Sequence, residues 1–444
     1  MGETDAAPTG PAAREEIARI VAERDIISVY QPIVELRTGD VVGCEILSRG
    51  PVGSPLHAPG PLFAAAAAAG LLTELDIVCR VLGLSRARDA PGDLQLVFVN
   101  VEPGSGHDLS MSRELLDVLH SVPFQIVVEF TERTLTHRAA NLLRYADGIH
   151  DRGNLIAIDD LGADPHSLAL VPLLQPDILK LDISVTQGSS TRAGATAAAA
   201  WEYAHARGAV VLAEGIETEE HRERALALGA TWGQGFLFGR PGPAAAVTSR
   251  RRADVVLPWS GVPRAPDSGS PAPASRPASR LMLSLLSRQL EEQARQLGQH
   301  AVLLAAVEDA AVLTRGVVDR YAAVAEHAAL VGIVGLGMPE RPAPGVQGGP
   351  LAAGDELAGA WVVAVVGPHS GGALTAVRAD RGDGYDAVVT NDRAQASRVA
   401  ERLARRLAPY TPENPIVRWP AVTVPPQARE SATDLARLGP HAGP

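Results

Sequence analysis

The chain has 444 residues, 20% of them charged, with a formal net charge of −11 and a pI of about 5.6. That acidic balance carries no basic footprint for nucleic acid. Two cysteines, Cys44 and Cys79, form neither a disulfide framework nor metal spacing, which fits a reducing cytoplasm. The polar start MGETDAAPTGPAAREE is no leader, and no apolar run is long enough for a bilayer, so the expectation is a soluble cytoplasmic protein with no membrane contact.

Residues 1–11 read as disordered, and Ala12–Arg24 as a helix with Ile17, Ile20 and Val21 on its apolar side. Ile26–Leu36 and Val41–Leu47 read as strands joined by a turn at Arg37–Asp40. A helical segment Leu62–Arg88 leads to the strand Gln95–Val101, Arg113–His120 to Gln125–Phe130, and Asn141–Arg152 to Leu155–Asp160. Ser167–Leu174 then precedes Asp177–Asp182, Ala193–Arg207 precedes Ala209–Glu214, and Thr218–Leu228 precedes Thr231–Phe236. This unbroken alternation predicts an α/β fold, a TIM-like (β/α)8 barrel over residues 12–247 with an irregular N-terminal hairpin strand. An open doubly wound sheet is the alternative.

Residues 248–280, rich in Pro, Ser, Ala and Gly from Pro258 on, read as a linker. A smaller α/β domain is expected over 281–410, and a disordered tail over 411–444. The smaller domain would hold a helix at Leu281–Gln299, strands at Ala301–Val307, Leu330–Gly335 and Trp361–Val366, and a helix Ala394–Leu407. Pro339–Gly354 reads as a flexible loop, and the glycine pattern of Val331–Gly337 as a strand running into it rather than a nucleotide fingerprint.

The predicted barrel strands end in Glu45, Asn100, Glu129, Asp159-Asp160, Lys180, Glu214 and Gln234, where barrel enzymes gather their chemistry. Strand alternation would send Asp159 and Asp160 in roughly opposite directions. Lys180 is the only lysine in the chain, a compact ammonium that arginine replaces poorly in a tight phosphate site. The plainer readings are a turn or capping role for the aspartates and a snorkelling strand-end lysine. The oxygen-rich set suits Mg²⁺ or Mn²⁺, with two ions bridged by a carboxylate as the economical arrangement. Lys180 and Arg49 would add positive charge for a phosphate.

Residues 15–245 resemble the EAL-domain phosphodiesterases that linearise cyclic di-GMP. The stretches that carry this are Tyr30-Gln-Pro-Ile33, Glu45-Ile-Leu-Ser-Arg49, Asn100, Glu129-Phe-Thr-Glu132, Asp159-Asp160, Lys180-Leu-Asp182, Ala213–Thr218 and Gln234–Pro241. The resemblance implies metal ligands at Glu45, Asn100, Glu129, Asp159, Asp160 and Glu217, with Asp160 shared between two Mg²⁺ or Mn²⁺ ions. It implies that Lys180 holds the attacking water, that Glu214 acts as base, and that Gln31, Arg49 and Gln234 meet the dinucleotide. Glu132 would steady the loop after the aspartate pair. Water would open one phosphodiester of cyclic di-GMP to give linear pGpG, and homodimers are expected. That loop departs from the family, since Leu161-Gly-Ala-Asp-Pro-His-Ser167 stands where Phe-Gly-Thr-Gly-Tyr-Ser-Ser is usual. The change makes the loop stiffer and more acidic, and keeps open a catalytically weak or inactive receptor signalling through partner contacts. His166 reads as an exposed loop residue. Residues 281–410 resemble DICT domains at Arg320-Tyr321, Trp361, Gly367-Pro368 and Thr390–Arg393, which implies a sensory role with an unknown ligand or protein partner.

Overall fold

The computed structural model describes residues 10–101, 112–130, 139–163, 167–253, 274–379 and 384–408. Eight strands close a barrel in chain order: β1 (Ile27–Glu35), β2 (Val41–Arg49), β3 (Leu96–Asn100), β4 (Gln125–Phe130), β5 (Leu155–Leu161), β6 (Ile178–Leu181), β7 (Val210–Ala213) and β8 (Trp232–Gln234). β1 runs antiparallel to both its neighbours, β2 and β8, while the other pairs are parallel. The reason is local: the link from Leu36 to Asp40 is far too short for a crossover, and Gly39 at φ 74° closes it as a hairpin. The run expected as one helix at Leu62–Arg88 is two, Pro59–Ala69 and Leu72–Arg88, because Gly70 takes φ 74° and caps the first.

Alternation along the strands divides the barrel into layers. Val97, Val99, Val128, Ile156, Ile158, Leu179 and Val211 face the helices, whereas Ile33, Phe98, Val127, Ala157, Ile178, Leu212 and Trp232 fill the interior. This interior plug is apolar and tightly packed, so it is a floor and not a pore.

The second domain is a seven-stranded sheet in the order β12-β11-β10-β13-β14-β15-β9. Its strands are β9 (Arg276–Ala278), β10 (Val302–Asp309), β11 (Leu330–Leu336), β12 (Gln347–Leu351), β13 (Trp361–Val366), β14 (Gly371–Arg378) and β15 (Tyr385–Thr390). Helices Arg280–Leu297 and Arg315–Ala325 cover one face, and helix Arg393–Ala404 covers the other. Several of these elements lie where the sequence suggested none. β9 falls in the stretch read as linker, and β12 in the stretch read as a flexible loop. The glycines of β12 serve close packing: a Cβ on Gly348 would sit 1.8 Å from Pro339 O, and one on Gly349 would sit 1.8 Å from Arg406 O.

Helix Arg393–Ala404 also packs on the barrel helices Ala139–His150 and Ser167–Leu174. Gln175 Nε2 donates to Glu401 Oε2 at 3.1 Å, Arg405 Nη2 to Asp147 Oδ1 at 3.0 Å, and Arg393 pairs with Glu202 at 3.3 Å. Among the described residues, no helix is long and apolar enough to cross a membrane.

Candidate active site and metal centre

The interior floor places the site. Moving two residues along each strand from Phe98, Val127, Ala157, Ile178, Leu212 and Trp232 leads to Asn100, Glu129, Asp159, Lys180, Glu214 and Gln234. A period of two therefore stacks one polar layer directly on the apolar one. β1 runs the other way, so Gln31 reaches this layer two residues before Ile33 and pairs in register with Glu45.

Lys180 does not snorkel. Its side chain is 0% exposed, and Nζ lies 2.6 Å from Glu129, 2.9 Å from Asp159, 2.9 Å from Glu214 and 3.6 Å from Glu45. Burial alone would lower its pKa, but the surrounding Asp159, Glu129, Glu214 and Glu45 outweigh it and hold the ammonium well above its ordinary value. Glu45 is oriented by Asn100 Nδ2 at 2.9 Å and Gln234 Nε2 at 2.8 Å; the same Nε2 lies 3.1 Å from Gln31 Oε1. Gln31 Nε2 in turn donates to Gly239 O at 3.3 Å. Arg49 is partly buried at the end of β2, and that burial draws its pKa down.

The carboxylates outnumber the cation, and their protonation shows it. Desolvation, reinforced by Glu45, drives Glu129 well above the usual carboxylate range despite Lys180. Burial pushes Glu214 up to about 8, and burial with the Asp159 charge pushes Asp160 up to about 6. Two groups of oxygens result, Glu45/Glu129/Asp159 and Asp159/Asp160/Glu214, each with its atoms within 4.8 Å of one another. Asp159 belongs to both. Glu129 Oε2 and Gln234 Oε1 are buried without a hydrogen-bond partner among the described residues. Hard oxygen donors, crowded like charges and orphaned buried oxygens together fit a divalent cation such as Mg²⁺ or Mn²⁺.

The aspartate pair departs from expectation. Simple alternation would separate the two side chains, yet both join the second group. Asp160 takes φ 54°, so the chain leaves regular strand geometry there and turns its carboxylate back toward Asp159. Glu217 is in neither group of oxygens; it is exposed, and Thr218, whose Oγ1 accepts from His221 N at 3.2 Å, caps the helix that follows it. Glu132 and the loop residues Asp164, Pro165 and His166 lie outside the described residues. Cys44 is a buried small hydrophobe whose thiol burial pushes up to about 12.

Residues 14–241 match the EAL domain family. The chain belongs to that family. Among relatives, cyclic di-GMP phosphodiesterase RocR of Pseudomonas aeruginosa is 27% identical over 248 residues, covering 51% of this chain and 62% of RocR. The PaMucR phosphodiesterase in its c-di-GMP complex is 26% identical with a TM-score of 0.48, covering 53% of this chain and 99% of that one. A manganese and cyclic di-GMP complex of BlrP1 from Klebsiella pneumoniae is 28% identical with a TM-score of 0.43, covering 49% of this chain and 56% of that one. The chain spans between 30% and 62% of the length of the first curated relatives it matches.

The comparisons identify no family for the C-terminal domain, and two residues likened to DICT domains have packing duties. Arg320 Nε donates to the buried Glu291 at 2.6 Å, and Trp361 Nε1 donates to Ser287 Oγ at 2.9 Å. Sequence reasoning also missed Arg192, whose guanidinium reaches the turn after the aspartate pair from a surface helix.

Proposed function

We propose that this chain hydrolyses cyclic di-GMP to linear pGpG in a reaction dependent on Mg²⁺ or Mn²⁺. The observation that carries this is the pair of carboxylate groups sharing Asp159 beside a fully buried ammonium. Glu45, Glu129 and Asp159 would hold one ion, and Asp159, Asp160 and Glu214 a second, with Asn100 and Gln234 orienting Glu45. When bound, the ions supply Lewis-acid chemistry, lowering the pKa of a water and neutralising phosphate charge. Lys180 Nζ positions the water and offsets charge building on the phosphoryl oxygens. Glu214 has its pKa raised to about 8 in the metal-free protein; held ionised once the cations are bound, its carboxylate would accept the water's proton. Oxygen adds to phosphorus, one ester P–O bond breaks, and the released oxygen is protonated to a hydroxyl. Gln31 and Arg49, beside Glu45, would bind the dinucleotide.

The second half of the reading is control by the C-terminal domain, the part likened to DICT modules. Its support is position: helix Arg393–Ala404 rests on helix Ser167–Leu174, the element that follows the loop after the aspartate pair. One observation favours a second reading, a receptor that binds cyclic di-GMP without turnover: Asp164 and Pro165 replace the glycine and aromatic residue of that loop.

Incubating the full chain with cyclic di-GMP, with and without Mn²⁺, and resolving pGpG by chromatography separates the two. Turnover only with the cation supports the enzyme. Binding in Ca²⁺ with no turnover in Mn²⁺ supports the receptor, and neither binding nor turnover removes both.

A further inference from the structure

The chain leaves β5 through an unusual backbone. Asp160 has φ 54° and Gly162 has φ 110°, and Ala163 N bonds back to Asp160 O at 3.0 Å. A non-glycine residue in the left-handed region is strained by about 1 kcal/mol or more and persists only where its surroundings impose it. Asp160 bears a further burden, since its carboxylate is turned toward that of Asp159.

Side chains of two neighbouring helices, Ile183–Thr186 and Thr191–Arg207, lie against this turn. Helix Thr191–Arg207 begins on Ser190, whose Oγ accepts from Ala193 N at 3.1 Å. On its first turn, Arg192 Nη2 donates to Gly162 O at 2.7 Å and to Ala163 O at 2.7 Å. One turn further along the same face, Thr196 presses on Gly162: a Cβ there would lie 3.2 Å from Thr196 Cγ2 and 2.3 Å from Val185 Cγ2. The turn is thus wedged from below and gripped at two successive carbonyls. Charge-assisted bonds from one planar guanidinium fix direction as well as distance.

We infer that Arg192 is a positioning residue for the second cation site, holding the Asp160–Ala163 turn so that Asp160 stays beside Asp159 and Glu214. The inference rests on the two-cation reading above. Arg192 bonds to backbone carbonyls and is part of neither carboxylate group. It acts through the backbone, much as a residue behind a metal ligand sets that ligand's orientation. The first group, Glu45/Glu129/Asp159, is built on strand residues and shares only Asp159 with the second.

Titration of metal-free full-length protein with Mn²⁺ alone, followed by calorimetry, tests it on wild type, Arg192→Ala and Arg192→Lys. Wild type is expected to take up two ions. Arg192→Ala should keep the tighter site and weaken the other by about 10- to 100-fold. Arg192→Lys, able to reach one carbonyl, should fall between. The unfolding temperature should move little, whereas a merely structural arginine would lower it and leave both affinities intact. Two wild-type affinities in Arg192→Ala and in Arg192→Lys overturn the inference while leaving the two-cation reading standing. A wild-type protein that binds no Mn²⁺ overturns that reading, and the role of Arg192 falls with it.

Discussion

Each half of the molecule buries a glutamate, and the two are treated in opposite ways. Glu291, in the C-terminal domain, is 2% exposed and has a guanidinium to itself, with Arg320 at 2.6 and 3.4 Å. Glu129, in the barrel, is 0% exposed, shares one lysine with three other acids and leaves an oxygen unbonded. A buried charge with its own partner holds two helices together; a buried charge in competition for a partner is a site kept ready for something else. The contrast separates a region arranged for cohesion from one arranged for chemistry.

The strongest test of that contrast is at the shared lysine. Lys180→Arg keeps the charge but brings a wide planar group into a space crossed by four carboxylates. Single-turnover hydrolysis should fall on the order of 10²–10³, roughly 3–4 kcal/mol, nearly as far as in Lys180→Ala. Equilibrium binding of the dinucleotide should fall much less. An arginine variant within a few-fold of wild type would remove the lysine from the chemistry.

Next come the two glutamates themselves. Glu291→Gln leaves Arg320 without its ionic partner and should cost about 2–3 kcal/mol in denaturant unfolding. Glu129→Gln should leave metal-free stability unchanged or raised, since the amide replaces a carboxyl whose charged form burial and Glu45 already disfavour, while abolishing tight Mn²⁺ binding. Equal destabilisation by both would erase the distinction between the regions.

Metal removal gives a smaller, signed effect. The raised pKa values of Asp160, about 6, and Glu214, about 8, mean that the folded metal-free protein holds protons the unfolded chain would release. Their contribution is therefore complete below the ordinary carboxylate range and is lost as pH climbs toward 8. The barrel's unfolding temperature in EDTA should drop between about pH 4 and about 8, and saturating Mg²⁺ should flatten the slope. A flat profile in EDTA would count against the crowded site.

The smallest expected change in stability lies between the halves. Arg405→Ala removes a half-exposed contact with Asp147 and should alter unfolding by less than about 1 kcal/mol. If the C-terminal domain controls the barrel through this seam, turnover in the full chain should nonetheless change. An unaltered rate would confine the contact to packing.

Much of this was legible in sequence because it depends on local periodicity. The strand ends named Glu45, Asn100, Glu129, Asp159-Asp160, Lys180, Glu214 and Gln234 as one rim, and the strand-helix rhythm suggested a closed barrel with an irregular N-terminal hairpin strand. What tertiary structure decided depends on closure and on neighbours distant in the chain. The glycines of β12 look like loop formers until Pro339 and Arg406 are seen against them. Asp160 follows its φ rather than the strand alternation and turns toward Asp159. Glu217 matches a motif yet stands exposed, just ahead of the helix that Thr218 caps. Arg192 is one arginine among many in the sequence, and only the approach of its helix to Gly162 and Ala163 gives it a task. Residue type and spacing fix which groups a strand can present; which of them meet is settled when the barrel closes and its outer helices pack down.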